Sequence, residues 1–297
     1  MTERMGLAEL KAIIRAAGGE CMALDYAEAL LEKINRLEAA GGYATMFAQL
    51  RSANEPGDFR GRILEVNFAD FIGSGLQYGA KQGMSGDVDF CWRINGEYVF
   101  IEMKLLGQDH NTKGAKALQL KDTRIWSALI SDDTKDVARI QRDIFLKSST
   151  KKFKPKPEAT WINLVAVDVS ELQLGTVDMG DCLLAAGGNE LVSRHSHPAC
   201  QRSAVIGIFE RDGKTLTTEQ AEWMKCFHKT LNAAEPHPRD YIHGVLFLFR
   251  EPKERAALSY ELSGAVVWNP ALIDCQRAKF VLEVFHQKIP RAEFKSC

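Results

Sequence analysis

Two aspartates, a glutamate and a lysine have the types and spacing of a reactive site: Asp87 and Asp89 in Gly86-Asp-Val-Asp-Phe90, then Glu102 and Lys104 in Val99-Phe-Ile-Glu-Met-Lys104. Between them lies Asn95-Gly96, the pair that best suits a two-residue type I′ turn, in which both central positions need a positive φ. The flanking segments, Val88 to Ile94 and Tyr98 to Met103, are rich in β-branched and aromatic residues and read as the strands of a hairpin. A two-residue turn sets the register, with Asp89 facing Glu102 and Asp87 facing Lys104. Side chains alternate between faces, so Asp87, Asp89, Glu102 and Lys104 are expected on one face and Val88, Phe90, Ile101 and Met103 on the other. The first is a charged site and the second a core.

Carboxylates directly opposite one another, with Cβ atoms about 4.5–5.5 Å apart, repel unless something offsets them. A divalent cation does so. Mg²⁺ takes one or two carboxylates and fills its remaining positions with water and phosphate oxygens. Such an ion lowers the pKa of a bound water and polarises a phosphate, the two requirements of phosphodiester hydrolysis. Lys104 would then orient the water or stabilise charge developing on the phosphate. The same residues also read as a solvent-facing sheet surface with an Asp87–Lys104 ion pair, and a three-residue loop would break the register.

The hairpin needs a scaffold. Residues 1–57 read as a helical segment, because Leu24, Ala27, Leu30, Leu31, Ile34 and Leu37 recur at helical spacing before the break at Gly41-Gly42. A further helix is expected from about Phe59 to Ile72, with Leu64, Phe68, Phe71 and Ile72 as its apolar stripe and Gly73 and Gly75 as its stop. Beyond the hairpin, helical spacing covers residues 113–146 with a break near Ser131-Asp-Asp133. Strands are expected at Trp161 to Val167, Ala204 to Phe209, Gly244 to Phe249 and Ala265 to Trp268, and helices near residues 219–231 and 276–287. The class is α/β. The expected division is a helical segment 1–57, a core 58–170, and an α/β extension 171–297 packing on that core.

The 297 residues, 45% hydrophobic, suffice for a substantial core. With 38 basic against 39 acidic residues and a net charge of −1, global charge does not announce a nucleic-acid partner. Locally, Lys147-Ser-Ser-Thr-Lys-Lys-Phe-Lys-Pro-Lys-Pro157 concentrates lysines in a stretch whose prolines oppose regular structure. Lys151, Lys152 and Lys154 are candidates to contact a nucleic-acid backbone, with a solvated linker as the alternative. The 7 scattered cysteines lack a Cys-x-x-Cys pair, so reduced thiols are expected. No apolar run approaches the roughly 18–20 residues of a membrane span, and no secretory signal is evident, so a cytoplasmic location without membrane contact is expected.

Gly86-Asp87-Val88-Asp89-Phe90 followed by Val99-Phe-Ile-Glu102-Met-Lys104 resembles the signature of the PD-(D/E)xK nuclease superfamily. The wording is most similar to Holliday junction resolvases and Mrr-like restriction endonucleases. The resemblance spans Phe59 to Val169 and implies a restriction-endonuclease-like αβββαβ core with a mixed central sheet. Carried over by position, Asp89 is the motif aspartate. Asp87 is its competitor, either a secondary ligand or a residue that tunes Lys104. No proline precedes either aspartate, a departure from the pattern. The resemblance further implies Glu65 as the glutamate of the preceding helix and Gln119 as a supporting glutamine, with Gln141 a weaker candidate; each glutamine also reads as a surface residue. Asp89, Glu102 and Glu65, with the backbone carbonyl of Met103, would hold Mg²⁺ or Mn²⁺ while Lys104 assists the water.

The expectation is a metal-dependent endonuclease acting on nucleic acid, DNA rather than RNA, in restriction, repair or phage defence, with a homodimer suited to cutting two strands. The alternative is an inactive nuclease-fold module that binds nucleic acid or a protein partner. Asp87-Val-Asp89 also spells the metal-binding Asp-x-Asp of nucleotide-sugar glycosyltransferases, but no buried apolar strand precedes it. His195-Ser-His-Pro-Ala-Cys200 fits no standard zinc spacing, His228 and His243 lie in apolar segments and read as structural, and Asp168 reads as a strand-end turn residue. No phosphate-binding Gly-rich loop or Ser-His-Asp signature occurs.

Overall fold

The computed structural model describes residues 4–18, 24–82, 85–107, 133–170, 172, 177–194, 207–209, 227, 229–252, 260–288 and 293–294. Helices α1 (Leu7–Gly18), α2 (Leu24–Ala40), α3 (Ala44–Ser52) and α4 (Pro56–Ile72) form the N-terminal layer. Pro56 suits the first turn of α4, where its missing N–H is no loss, and Gly73 ends the helix at φ 69°. Phe59, Leu64, Phe68 and Ile72 of α4 pack with Leu30, Ile34, Met46 and Leu50 of the preceding helices.

These helices cover one face of a mixed sheet of seven strands in sequential order: β1 (Leu76–Ala80), β2 (Val88–Ile94), β3 (Glu97–Leu105), β4 (Trp161–Asp168), β5 (Gly244–Pro252), β6 (Tyr260–Trp268) and β7 (Glu293–Phe294). β1, β2 and β3 are antiparallel neighbours, β3, β4 and β5 run parallel, β6 returns antiparallel, and β7 adds in parallel. Parallel neighbours need a crossover, and helices lie in both: α5 (Asp133–Lys147) between β3 and β4, and α6 (Met179–Arg194), kinked at Gly188, between β4 and β5. α5 and α6 pack on the second face, with Ile140, Ile144, Cys182 and Leu183 against Val165 and Val167. Helix α7 (Cys275–Lys288) returns to the first face through Ala278 and Val281. The sheet therefore runs without a break across position 170, and residues after it extend the same layers.

The strands at β4, β5 and β6 fall where the apolar runs place them, with β5 and β6 longer than expected. Residues 207–209, from the expected strand at Ala204 to Phe209, instead form a turn. There the N–H groups of Ile208 and Phe209 donate to the carbonyls of Ala185 and Ala186, satisfying acceptors at the α6 kink. Of the expected helix at 113–146 only residues 133–146 are described, and they lie within α5. Cys91 and Cys182 are buried free thiols, but Cys275 is disulfide-bonded, contrary to the expectation of reduced cysteines throughout. Pairing depends on spatial approach, which cysteine spacing does not reveal. No helix among the described residues is long and apolar enough to cross a membrane.

Candidate active site

The hairpin forms as its turn dictates. Asn95 takes φ 44° and Gly96 φ 90°, and Ile94 pairs with Glu97 across a two-residue loop. The register runs from there to Phe90 opposite Ile101, which brings Asp89 beside Glu102 at the next position. At that point the ladder changes character. The Asp89 carboxylate takes a backbone donor itself, with Met103 N–H donating to Oδ2 at 2.7 Å. On the other flank of β2, Asp89 lies between the pairs Tyr78–Phe90 and Ala80–Val88, level with Gly79 at φ 68°.

That local turn corrects two expectations. Phe90, Ile101 and Met103 face the N-terminal helices, but Val88 and Ala80 belong to the layer under α5, so face alternation breaks at Asp89. Asp87 is exposed, precedes the strand and does not face Lys104; its backbone carbonyl accepts from Lys152 Nζ at 2.6 Å. Lys104 finds its carboxylate on α5 instead, 3.5 Å from Asp143 Oδ2, and keeps 37% of its side chain exposed.

Glu102 is 1% exposed. Lys147, the last residue of α5, donates to its Oε1 at 2.6 Å, and Lys152 approaches Oε2 to 3.3 Å in charge contact without a hydrogen bond. Burial pushes the Glu102 carboxyl above its ordinary value, the Asp89 charge pushes the same way, and Lys147 and Lys152 oppose both. Burial works against a charged Lys147, yet Glu102 and Asp89 outweigh it and hold its ammonium above the usual lysine value.

Glu65 reaches the same group from α4. It is buried, Arg62 donates to it at 2.8 Å, and the Tyr78 hydroxyl lies 3.0 Å from Oε2 and 2.6 Å from Gln49 Oε1. Burial and the Asp89 charge raise its carboxyl to about 7, against the pull of Arg62 and Tyr78. Glu65, Asp89, Glu102 and Lys147 thus interact across the end of the hairpin.

No model of a known protein family matches the chain, nor does any curated protein or solved structure. The functional reading therefore rests on the residues themselves.

Among the described residues no group of three or more His, Cys, Asp or Glu side chains stands close enough to hold a metal ion. Asp89 and Glu102 nevertheless suit Mg²⁺ as a pair, since that ion needs only one or two carboxylates, and Glu102 Oε2 is a buried acceptor without a hydrogen bond. Glu65 is engaged by Arg62 and Tyr78, so a metal reading centres on Asp89 and Glu102. Gln119 lies outside the described residues, as do His195, His197, Cys200 and His228. Gln141 is buried and donates to the Ala185 carbonyl, tying α5 to α6. His243 is structural: its Nδ1 accepts from Asn163 N–H. Asp168 caps a turn through Ser170 N–H.

In the lysine stretch, Lys151 is exposed, Lys152 turns inward to Glu102, and Lys154 lies over Trp161. Asp143 and Lys147 were missed by motif reasoning. They are four residues apart on α5 and so share one helix face, a signal usable only once that face is known to cover β3.

Proposed function

We propose that the chain is a metal-dependent nuclease hydrolysing phosphodiester bonds, with DNA as the expected substrate. The observation that carries this is the meeting of Asp89 and Glu102, coupled by charge, next to Lys104 on β3. The order α4-β1-β2-β3-α5-β4 among the described residues supports a restriction-endonuclease-like core.

Asp89 and Glu102 would hold Mg²⁺ or Mn²⁺, which when bound would supply an acidified water and neutralise charge on the phosphate. The Met103 N–H fixes one Asp89 oxygen and so orients the carboxylate. Lys104, exposed enough to leave Asp143, donates to the attacking water or to a phosphate oxygen. Lys147 and Lys152 neutralise Glu102 in the resting chain and would turn to substrate phosphates as that carboxylate takes a cation.

The second reading, a nuclease-fold module that binds without cutting, is favoured by one observation: Glu102 already has two lysines on it, and no three-carboxylate group forms among the described residues. Plasmid nicking with Mg²⁺ and with EDTA, comparing wild type, Asp89→Asn and Lys104→Ala, separates the two. Nicking by wild type alone and only with metal supports the nuclease; equal nicking by all three removes these residues from the site, and no cleavage by wild type of plasmid, single-stranded, branched or RNA substrates leaves the binding module.

A further inference from the structure

Tyr98, Phe100, Glu102 and Lys104 alternate along β3 and project from the same face. The end of that face nearest the turn is aromatic. The register aligns Arg93, Tyr98 and Trp161 in one cross-strand row, with Phe100 in the next. Tyr98 and Phe100 stack with centroids 6.5 Å apart and planes 17° apart, and Phe100 meets Trp161 edge-on at 5.1 Å. The Arg93 guanidinium lies 5.2 Å over the Tyr98 ring, and the Lys154 ammonium 4.9 Å over Trp161. Arg93, Tyr98, Phe100 and Trp161 border a cavity of about 370 Å³ that Lys81 and Glu158 also line, with Lys154 behind Trp161.

The cavity wall is held in place. The Gln82 amide accepts from Lys154 N–H at 2.8 Å and donates to Asn163 at 2.5 Å, fixing the lysine stretch on β4. Lys81 and Arg93 outnumber Glu158 in the lining, and Glu158 is itself 3.5 Å from Lys154, so the cavity is positive.

We propose that this cavity takes an unpaired nucleobase, so that the substrate is single-stranded or locally unpaired nucleic acid. The inference rests on the nucleic-acid reading above and specifies its substrate. Ring faces bordered by cations suit a base with its phosphates: the rings stack on the base, and the cations track the backbone. A fully paired duplex keeps its bases stacked on one another and offers only groove edges and phosphates. Phe100 and Glu102 are one strand repeat apart, about 7 Å, so a base on the platform brings its neighbouring phosphate toward Asp89, Glu102 and Lys104.

The test is fluorescence anisotropy on the full chain in EDTA, with labelled single-stranded DNA, the same strand in RNA, the strand with every base removed, and a blunt duplex. Intact single strands should bind tighter than the duplex at equal salt, and the abasic strand roughly tenfold or more weaker. The DNA and RNA arms identify the sugar. Tyr98→Leu and Trp161→Leu should bind intact and abasic strands alike. Should either fail to fold, the wild-type abasic comparison decides, together with Arg93→Ala at an exposed position, which should bind intact strands several-fold more weakly. Equal wild-type affinity for intact and abasic strands overturns the proposal, as does tighter duplex binding or unchanged affinity in all three variants. Base-dependent binding without metal-dependent cleavage would sink the nuclease reading alone; cleavage without base dependence would sink the platform alone.

Discussion

The two faces of β3 are buried to a similar degree and built on opposite terms. Val99, Ile101 and Met103 lie at 0%, 0% and 4% exposure against the N-terminal helices, and Glu102 on the other face lies at 1%. Burial therefore does not distinguish core from site; partners do. The apolar face needs only neighbours of suitable volume, whereas a buried carboxylate needs particular cations, and here they arrive from α5 and the stretch after it.

The contrast breaks first at Phe68, fully buried with its ring 5.5 Å from Phe90. Phe68→Ala should lower unfolding stability by about 3–5 kcal/mol in urea titration. A loss within about 0.5 kcal/mol, the range of an ordinary surface change, would mean that the α4 layer does not carry the fold.

On the charged face the largest effect should be on catalysis. Lys104→Ala should reduce kcat for Mg²⁺-dependent cleavage by roughly 10²–10³-fold. Its stability should change by no more than about 0.5 kcal/mol, because the side chain is partly solvated. Unchanged kcat would detach Lys104 from the chemistry.

Glu65 joins the two layers and should show it in pH dependence. Its carboxyl titrates near 7 in the folded chain against an ordinary 4.5, so between these values the folded form holds a proton that the unfolded form has lost. Stability from this source is complete below the lower value and disappears as pH rises through the upper one, by at most about 3 kcal/mol. Glu65→Gln should remove that slope: in EDTA it should match wild type near pH 4 and exceed it at about pH 8. Parallel stability curves for the two proteins would contradict this origin of the raised carboxyl.

A small stability change is also expected at Glu102. Lys147 and Lys152 remain partly exposed and can be rehydrated, so Glu102→Gln should shift unfolding by about 1 kcal/mol or less while abolishing metal-dependent cleavage. A loss above about 3 kcal/mol would make Glu102 a structural residue first.

The sequence made the local features legible and left the distant ones hidden. Asn95-Gly96 gave the turn and the register down to Phe90 and Ile101, and helical spacing gave the buried stripe of Leu64, Phe68 and Ile72 on α4. What it could not give was the partner of each charge. Lys104 was assigned Asp87 by register, but β2 ends its ladder early and Asp143 comes from a helix about forty residues away in the chain. Lys152 reads in the sequence as a candidate phosphate contact or part of a solvated linker, and Lys147 as the start of the same run, because spacing along a chain carries no information about which strand lies beneath it.

Gly79, level with Asp89, also bears on the edge of the sheet. β1 stands at the outer margin of the sheet, and an uncovered margin invites another chain to add a strand. A five-residue strand with a left-handed residue one position from its end is a poor template for such addition. The bend at Gly79 thus works against self-association through the backbone at that margin.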